Sequence, residues 1–151
     1  MAYEKTEVPV VRSQDSLRKL IQAHKGFGLA VISEQDPTGQ EQSLEGFQAK
    51  VMIDAQPVVI KIMAKVKHPG KNWSARQKEL FREQEERRIW RVIYYHLKSV
   101  FEASDSGVME FRELMLPYIV TPNGETVASQ LLPRLALVLA GKSQKLLSSG
   151  E

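Results

Sequence analysis

Two runs of alternating residues make the centre of this chain a β-hairpin. Phe47, Ala49, Val51 and Ile53 alternate with Gln48, Lys50 and Met52. Val58, Ile60, Ile62, Ala64 and Val66 alternate with Val59, Lys61, Met63 and Lys65. A period of two sends alternate side chains to opposite faces of a sheet, so each run reads as a half-buried strand. Asp54-Ala55-Gln56-Pro57 supplies the turn. The inner face is apolar, and the outer face carries Lys50, Lys61 and Lys65 among Met52, Val59 and Met63. Phe27 to Ser33 reads as a third strand, with Glu34 to Glu45, which contains Pro37 and Gly39, as the loop between.

A lone hairpin is at best marginal in water, and the flanking sequence offers the cover it needs. Thr6 to Val11, with Pro9, reads as an edge strand or an ordered arm. Ser13 reads as the cap of a short helix with Leu17, Leu20, Ile21 and His24 at helical spacing, and Gly26 as its stop. Downstream, Ser74 and Gln77 have capping-box spacing and open a long helix expected to run to about Phe101. Leu80, Phe81, Ile89, Trp90, Ile93, Tyr94, Leu97, Val100 and Phe101 form its apolar stripe. Its first half mixes Glu79, Glu83, Glu85 and Glu86 with Arg82, Arg87, Arg88 and Arg91, and reads as a solvated, self-paired face that projects from the body. Glu83 and Arg87 stand one turn apart.

Ala103 to Gly107 ends that helix. Glu110 to Leu116 suggests a short helix stopped by Pro117, and Tyr118 to Val120 a short strand. Thr121-Pro122-Asn123-Gly124 is a turn, and Val127 to Leu132 a last helical turn ahead of the apolar run Leu135 to Ala140. The expected fold is a single α+β domain over residues 1–141. It has a short N-terminal helix, a three-stranded antiparallel sheet, a long central helix and short C-terminal helical and turn segments. Residues 142–151 read as a polar tail.

The 151 residues can bury a core without covalent staples. There is no cysteine, which excludes disulfides, thiolate metal sites and cysteine nucleophiles and suits a reducing compartment. Met1 to Glu7 lacks the apolar stretch of a signal peptide, and Leu135 to Ala140 is too short to span a bilayer. A cytoplasmic location without a membrane partner is the expectation.

Catalytic signatures are missing: no phosphate-binding glycine loop, nucleophile elbow or zinc-protease helix. His24, His68 and His96 have no second ligand at a metal spacing, so no metal or cofactor is expected and the reading is non-enzymatic. The candidate functional stretch is Lys61 to Lys78. It holds Lys61, Lys65, Lys67, His68, Lys71, Arg76 and Lys78, with Trp73 among them and no acid interrupting. Mobile cations suit phosphates, an indole offers a stacking face for a base, and a helix start adds amides and a favourable dipole. The expected partner is DNA or RNA. The alternative is an assembly module, a homo-oligomer or a binder of another protein, using the long charged helix or the Leu135 to Ala140 run; Met52, Val59 and Met63 would be sticky if exposed but read as core under a C-terminal helix.

The order helix–strand–strand–strand–helix, with cations at the start of the last helix, is similar in topology to double-stranded RNA-binding domains. Ser74-Ala75-Arg76-Gln77 does not match that family's lysine-rich signature, and Trp73 is atypical there. Four further pieces carry a second likeness: Val8-Pro9-Val10, the segment from Glu85 through Trp90 to Ile93, Ser106-Gly107 through Phe111, and Tyr118 through Val127. In these the chain resembles an uncharacterised family of short proteins from prophages and other bacterial mobile elements. That resemblance implies a mobile-element context and brings no functional residues with it.

Overall fold

In the computed structural model, which describes residues 3–35 and 43–141, the two alternating runs pair as β2 (Ser43–Ile53) and β3 (Gln56–Val66). With β1 (Phe27–Glu34) they form an antiparallel sheet in the order β1-β2-β3. Phe47 stands opposite Ile62 and Ala49 opposite Ile60, which puts the apolar set on one face. Phe47, Ala49, Val51, Ile60 and Ile62 are all buried.

The turn is tighter than the four residues expected. Ile53 pairs with Gln56, leaving Asp54 and Ala55 as a two-residue loop with φ of 50° and 64°. Left-handed φ at both positions matches the twist of the flanking strands, although the usual glycine is absent. Gln56 and Pro57 belong to β3. β2 also starts at Ser43, so the loop ends earlier than Glu45; Pro37 and Gly39 lie outside the described residues.

Two helices cover the apolar face. α1 (Val10–Ala23) buries Leu17 and Ile21. Ser13 does not cap it. Pro9 holds that position, a natural place for a residue without an N–H, and Ser13 is buried one turn in, where its hydroxyl accepts from Arg91 Nη1 at 3.3 Å. At the other end Lys25 takes the left-handed conformation (φ 65°), and the Gly26 amide donates to the Ile21 carbonyl at 2.9 Å. Gly26 is there for closeness: a Cβ would stand 2.6 Å from Ile21 Cγ2 and 2.7 Å from the Lys50 carbonyl oxygen.

α2 (Ala75–Asp105) begins with the expected capping box, Gln77 N–H to Ser74 Oγ at 3.2 Å and Ser74 N–H to Gln77 Oε1 at 3.0 Å. It buries Ile89, Trp90, Ile93, Leu97, Val100 and Phe101, while Leu80 falls off the stripe and is exposed. These side chains, those of α1 and the inner sheet face form one core. Trp90 is fully buried, and its indole N–H donates to Glu45 at 3.1 Å.

After Gly107 come α3 (Phe111–Met115) and a 3-10 turn, Leu116–Tyr118. The expected strand at Tyr118 to Val120 is reduced to two bridges: Ile119 with Ile60 on the open edge of β3, and Val120 with Thr126. Gly124, at φ 86°, closes the turn between. The last element differs from expectation. The helical turn and the apolar run after it are one helix, α4 (Val127–Leu139), capped by Thr126 and continuous through Pro133. α4 has no buried residue. Among the described residues no helix is long and apolar enough to cross a membrane.

Candidate nucleic-acid interface

The basic stretch begins on the outer face of β3, runs through the loop 67–73 and ends in the first turn of α2. Glu85 fixes the loop where it leaves the strand. Its carboxylate is only 4% exposed; it accepts from the Lys67 amide at 2.5 Å, from Arg88 Nε at 2.5 Å and from Arg88 Nη2 at 3.1 Å. Burial alone would raise its pKa, but the bonds from Arg88 and the Lys67 amide outweigh it and hold the carboxyl below its ordinary range. Glu85 is therefore ionised at neutral pH, though it is among the most buried side chains in the molecule.

The reading of the first half of α2 as a solvated, self-paired face holds for Glu79, Arg82, Glu83 and Glu86, which are exposed, and Glu85 does pair with Arg88 of its own helix. It is corrected at Glu85, which is buried, and in the expected projection, because the helix is tied down from Phe81 onward. Gln84 Nε2 donates to the carbonyls of Glu4 and Thr6, both at 2.9 Å, so residues 4–6 are an arm laid along α2. Arg87 bonds Gln84 Oε1, at 2.7 Å from Nη2, in place of Glu83.

Along the loop itself, the Trp73 amide donates to the Gly70 carbonyl at 3.2 Å and closes a turn. The indole lies against Gly70, where a Cβ would come within 2.5 Å of Nε1, and meets the Phe81 ring edge-on with centroids 5.5 Å apart. Trp73 remains 45% exposed. It is thus both packed and presented: one side is held by the loop and helix, and the rest faces solvent.

The cations divide. Lys65, Lys67, His68, Lys71 and Arg76 are exposed, and Lys61 and Lys78 are half-buried. Lys61 is ion-paired with Glu34 of β1. The Lys67 ammonium contributes to holding Glu85 ionised. The run without acids in sequence therefore meets acids in space, Glu34 and Glu85 among the described residues, and its solvent-facing part is Lys65 to Arg76 around Trp73.

Sequence reasoning missed a second cluster, the far ends of the two covering helices. His24 Nδ1 lies 2.9 Å from the Leu20 carbonyl and Nε2 lies 2.8 Å from Asp105 Oδ2. Both neighbours are acceptors, an arrangement that favours the doubly protonated ring, in which both nitrogens donate. It stacks on Phe101 at 3.8 Å between centroids. Burial lowers its pKa, but the bonds to Asp105 and Leu20 win and raise it above 6.5. Asp105 is 81 residues away in sequence, which is why no spacing pattern pointed to it.

Among the described residues, clefts of about 470, 400 and 200 Å3 open on the surface, and no histidine lines these three. No three potential metal-binding side chains converge among the described residues. In comparison with known proteins, no family model, curated protein or solved structure gives a significant match to this chain.

Proposed function

We propose that this chain is a non-enzymatic nucleic-acid-binding accessory protein of a phage or other mobile element, acting in the cytoplasm. Lys65, Lys67, Lys71 and Arg76 would contact phosphates, with His68 beside them and Trp73 stacking on an unpaired base. The observation that carries this reading is the half-exposed Trp73. Its ring is already oriented by Gly70 and Phe81 and stands among exposed cations. A pre-positioned ring loses little freedom on binding, and stacking on one is worth about 1–3 kcal/mol per base without regard to sequence. The formal charge of +3 favours approach to a polyanion, and the resemblance to mobile-element proteins supplies the setting.

Electrophoretic mobility of labelled single- and double-stranded DNA and RNA across a salt series tests the proposal. Single strands should bind more tightly, because only they offer unpaired bases. Changing Lys65, Lys71 and Arg76 together to alanine should lower the slope of log affinity against log salt by about 2–3, because each cation removed leaves one phosphate with its counterion. No binding at low salt, or a slope unchanged in the triple variant, would sink it.

A further inference from the structure

The N-terminal arm lies on a face of α2 that has the chemistry of a nucleic-acid site. Gln84, Arg88, Arg91, Tyr95 and Lys98 follow at alternating spacings of four and three. They therefore share an arc of roughly 80°, opposite the buried stripe of Ile89, Ile93, Leu97 and Val100. The Arg91 guanidinium lies 4.8 Å and the Lys98 ammonium 5.6 Å from the centre of the exposed Tyr95 ring. Lys98 also pairs loosely with Glu102, at 3.9 Å, where the face ends. Where the face begins, a cleft of about 200 Å3 joins it to the basic loop. Glu4, Lys67, Phe81, Gln84, Glu85 and Arg88 line that cleft, and Phe81 is the ring that holds Trp73. Of its two acids, Glu85 is bound by Arg88 and the Lys67 amide, and Glu4 belongs to the arm.

What the arm puts on this face resembles one step of a single strand. The Tyr3 ring stacks on Tyr95, 5° from parallel with centroids 5.3 Å apart, where a base would stack. Glu85 does most to keep the Arg88 guanidinium charged, and the Glu4 carboxylate adds to it, where a phosphate would stand. The arm is lightly held. None of residues 3–9 is buried, and Tyr3 takes φ 66°, a left-handed conformation that a residue with a side chain adopts at a cost.

We infer that a single strand bound at Trp73 continues along this face of α2, displacing residues 3–6 and stacking a second base on Tyr95 while Arg91 and Lys98 contact its phosphates. This path rests on the proposed binding of nucleic acid at the basic loop, and gives the strand a second stacking platform. Phe81 and Tyr95 are 14 residues apart on one helix, a distance of about 21 Å. That is the reach of about six nucleotides at the ~3.4 Å per step of a stacked strand, and of fewer in an extended one. In the free protein the arm competes for the same surface, so the apparent affinity is reduced to the fraction of molecules whose arm is undocked.

Fluorescence anisotropy of the full chain at low salt, with labelled thymidine oligomers of about 4 and about 12 nucleotides, tests it, since these lengths bracket the path. The longer oligomer should bind more tightly. Tyr3→Ala combined with Glu4→Ala should tighten its binding further, by about tenfold for an arm docked in about nine molecules of ten. Tyr95→Ala should weaken it by about 5- to 150-fold, the contribution of one base stack, and Tyr95→Phe should restore it. All three positions are exposed, so the circular dichroism of the variants should match the wild type. An arm variant that binds no more tightly than wild type overturns the displacement, and binding indifferent to Tyr95→Ala overturns the path. In either case quenching of Trp73 in the wild type leaves binding at the basic loop standing. No binding by the wild type or by the arm variant overturns both.

Discussion

Glu85→Ala is expected to destabilise the protein by about 3 kcal/mol. The carboxylate is 4% exposed and takes three bonds, from the Lys67 amide and from two nitrogens of Arg88. Removing it strands the Arg88 guanidinium, itself only 16% exposed, and leaves the loop amide without its acceptor. A hydrogen bond to a charged group contributes about 1.5–3 kcal/mol, and breaking a buried pair by deleting one partner costs about 3–5. Arg88 keeps a little access to water, which places the loss at the lower end of that range. In a domain of this size about 3 kcal/mol lowers Tm by roughly 6–12 °C. Urea unfolding followed by tryptophan fluorescence reads it, with the midpoint shifting at unchanged m. Glu85→Ala and Arg88→Ala should be strongly non-additive, since either one breaks the same pair. The pH dependence carries a definite sign. A carboxyl whose folded pKa is depressed contributes fully above its unfolded value, near 4.3, and loses that contribution as pH falls through the folded value. The gap between wild type and Glu85→Gln should therefore narrow in acid. A loss below about 1 kcal/mol, or strictly additive single variants, would refute the view that this carboxylate anchors the loop.

Three other expectations follow from the backbone and from the His24 cluster. Ala55→Gly should stabilise by about 0.5–1 kcal/mol, because Ala55 sits at φ 64° where only glycine is unstrained, and a lower urea midpoint would contradict this. Gly26→Ala should destabilise by roughly 1–3 kcal/mol, since its methyl would meet both Ile21 and the Lys50 carbonyl, and an unchanged midpoint would show that α1 and β2 can separate freely. NMR titration should find His24 above its ordinary 6.5, falling in Asp105→Asn. Its contribution is full below the unfolded pKa and lost as pH rises through the folded one, so the protein should weaken relative to Asp105→Asn through neutral pH.

Local chemistry was legible in the sequence wherever a short-range pattern carried it. The alternation of Phe47 to Val66 gave both strands and their buried faces, and Ser74 with Gln77 gave the start of α2 to the residue. The errors share a cause. Ser13 has the chemistry of a cap, but Pro9 took the position and Arg91, 78 residues away, took the serine hydroxyl. Glu85 belongs to a run of charges that resembles a solvated face; only the return of the β3–α2 loop beneath it makes it a buried anchor. The turn at Asp54-Ala55 hid its type because it uses left-handed residues without glycine. Val127 to Leu132 and Leu135 to Ala140 read as two separate segments, yet α4 joins them and runs through Pro133. For the candidate interface, the residues Lys61 to Lys78 were visible as a run, but the pairing of Lys61 with Glu34 was not. Nor was the support of Trp73 by Gly70, which needs the loop conformation.

The proposed function turns on Trp73, and the protein contains a direct probe of it. Of its two tryptophans, Trp90 is fully buried and Trp73 is 45% exposed, so a fluorescence change on adding nucleic acid belongs to Trp73. Titration with a single-stranded homopolymer at low salt should quench the emission saturably. The quench should reverse as salt is raised and be absent in Trp73→Phe. Unchanged Trp73 emission at concentrations where the strand is bound, or no binding at all, would contradict the account.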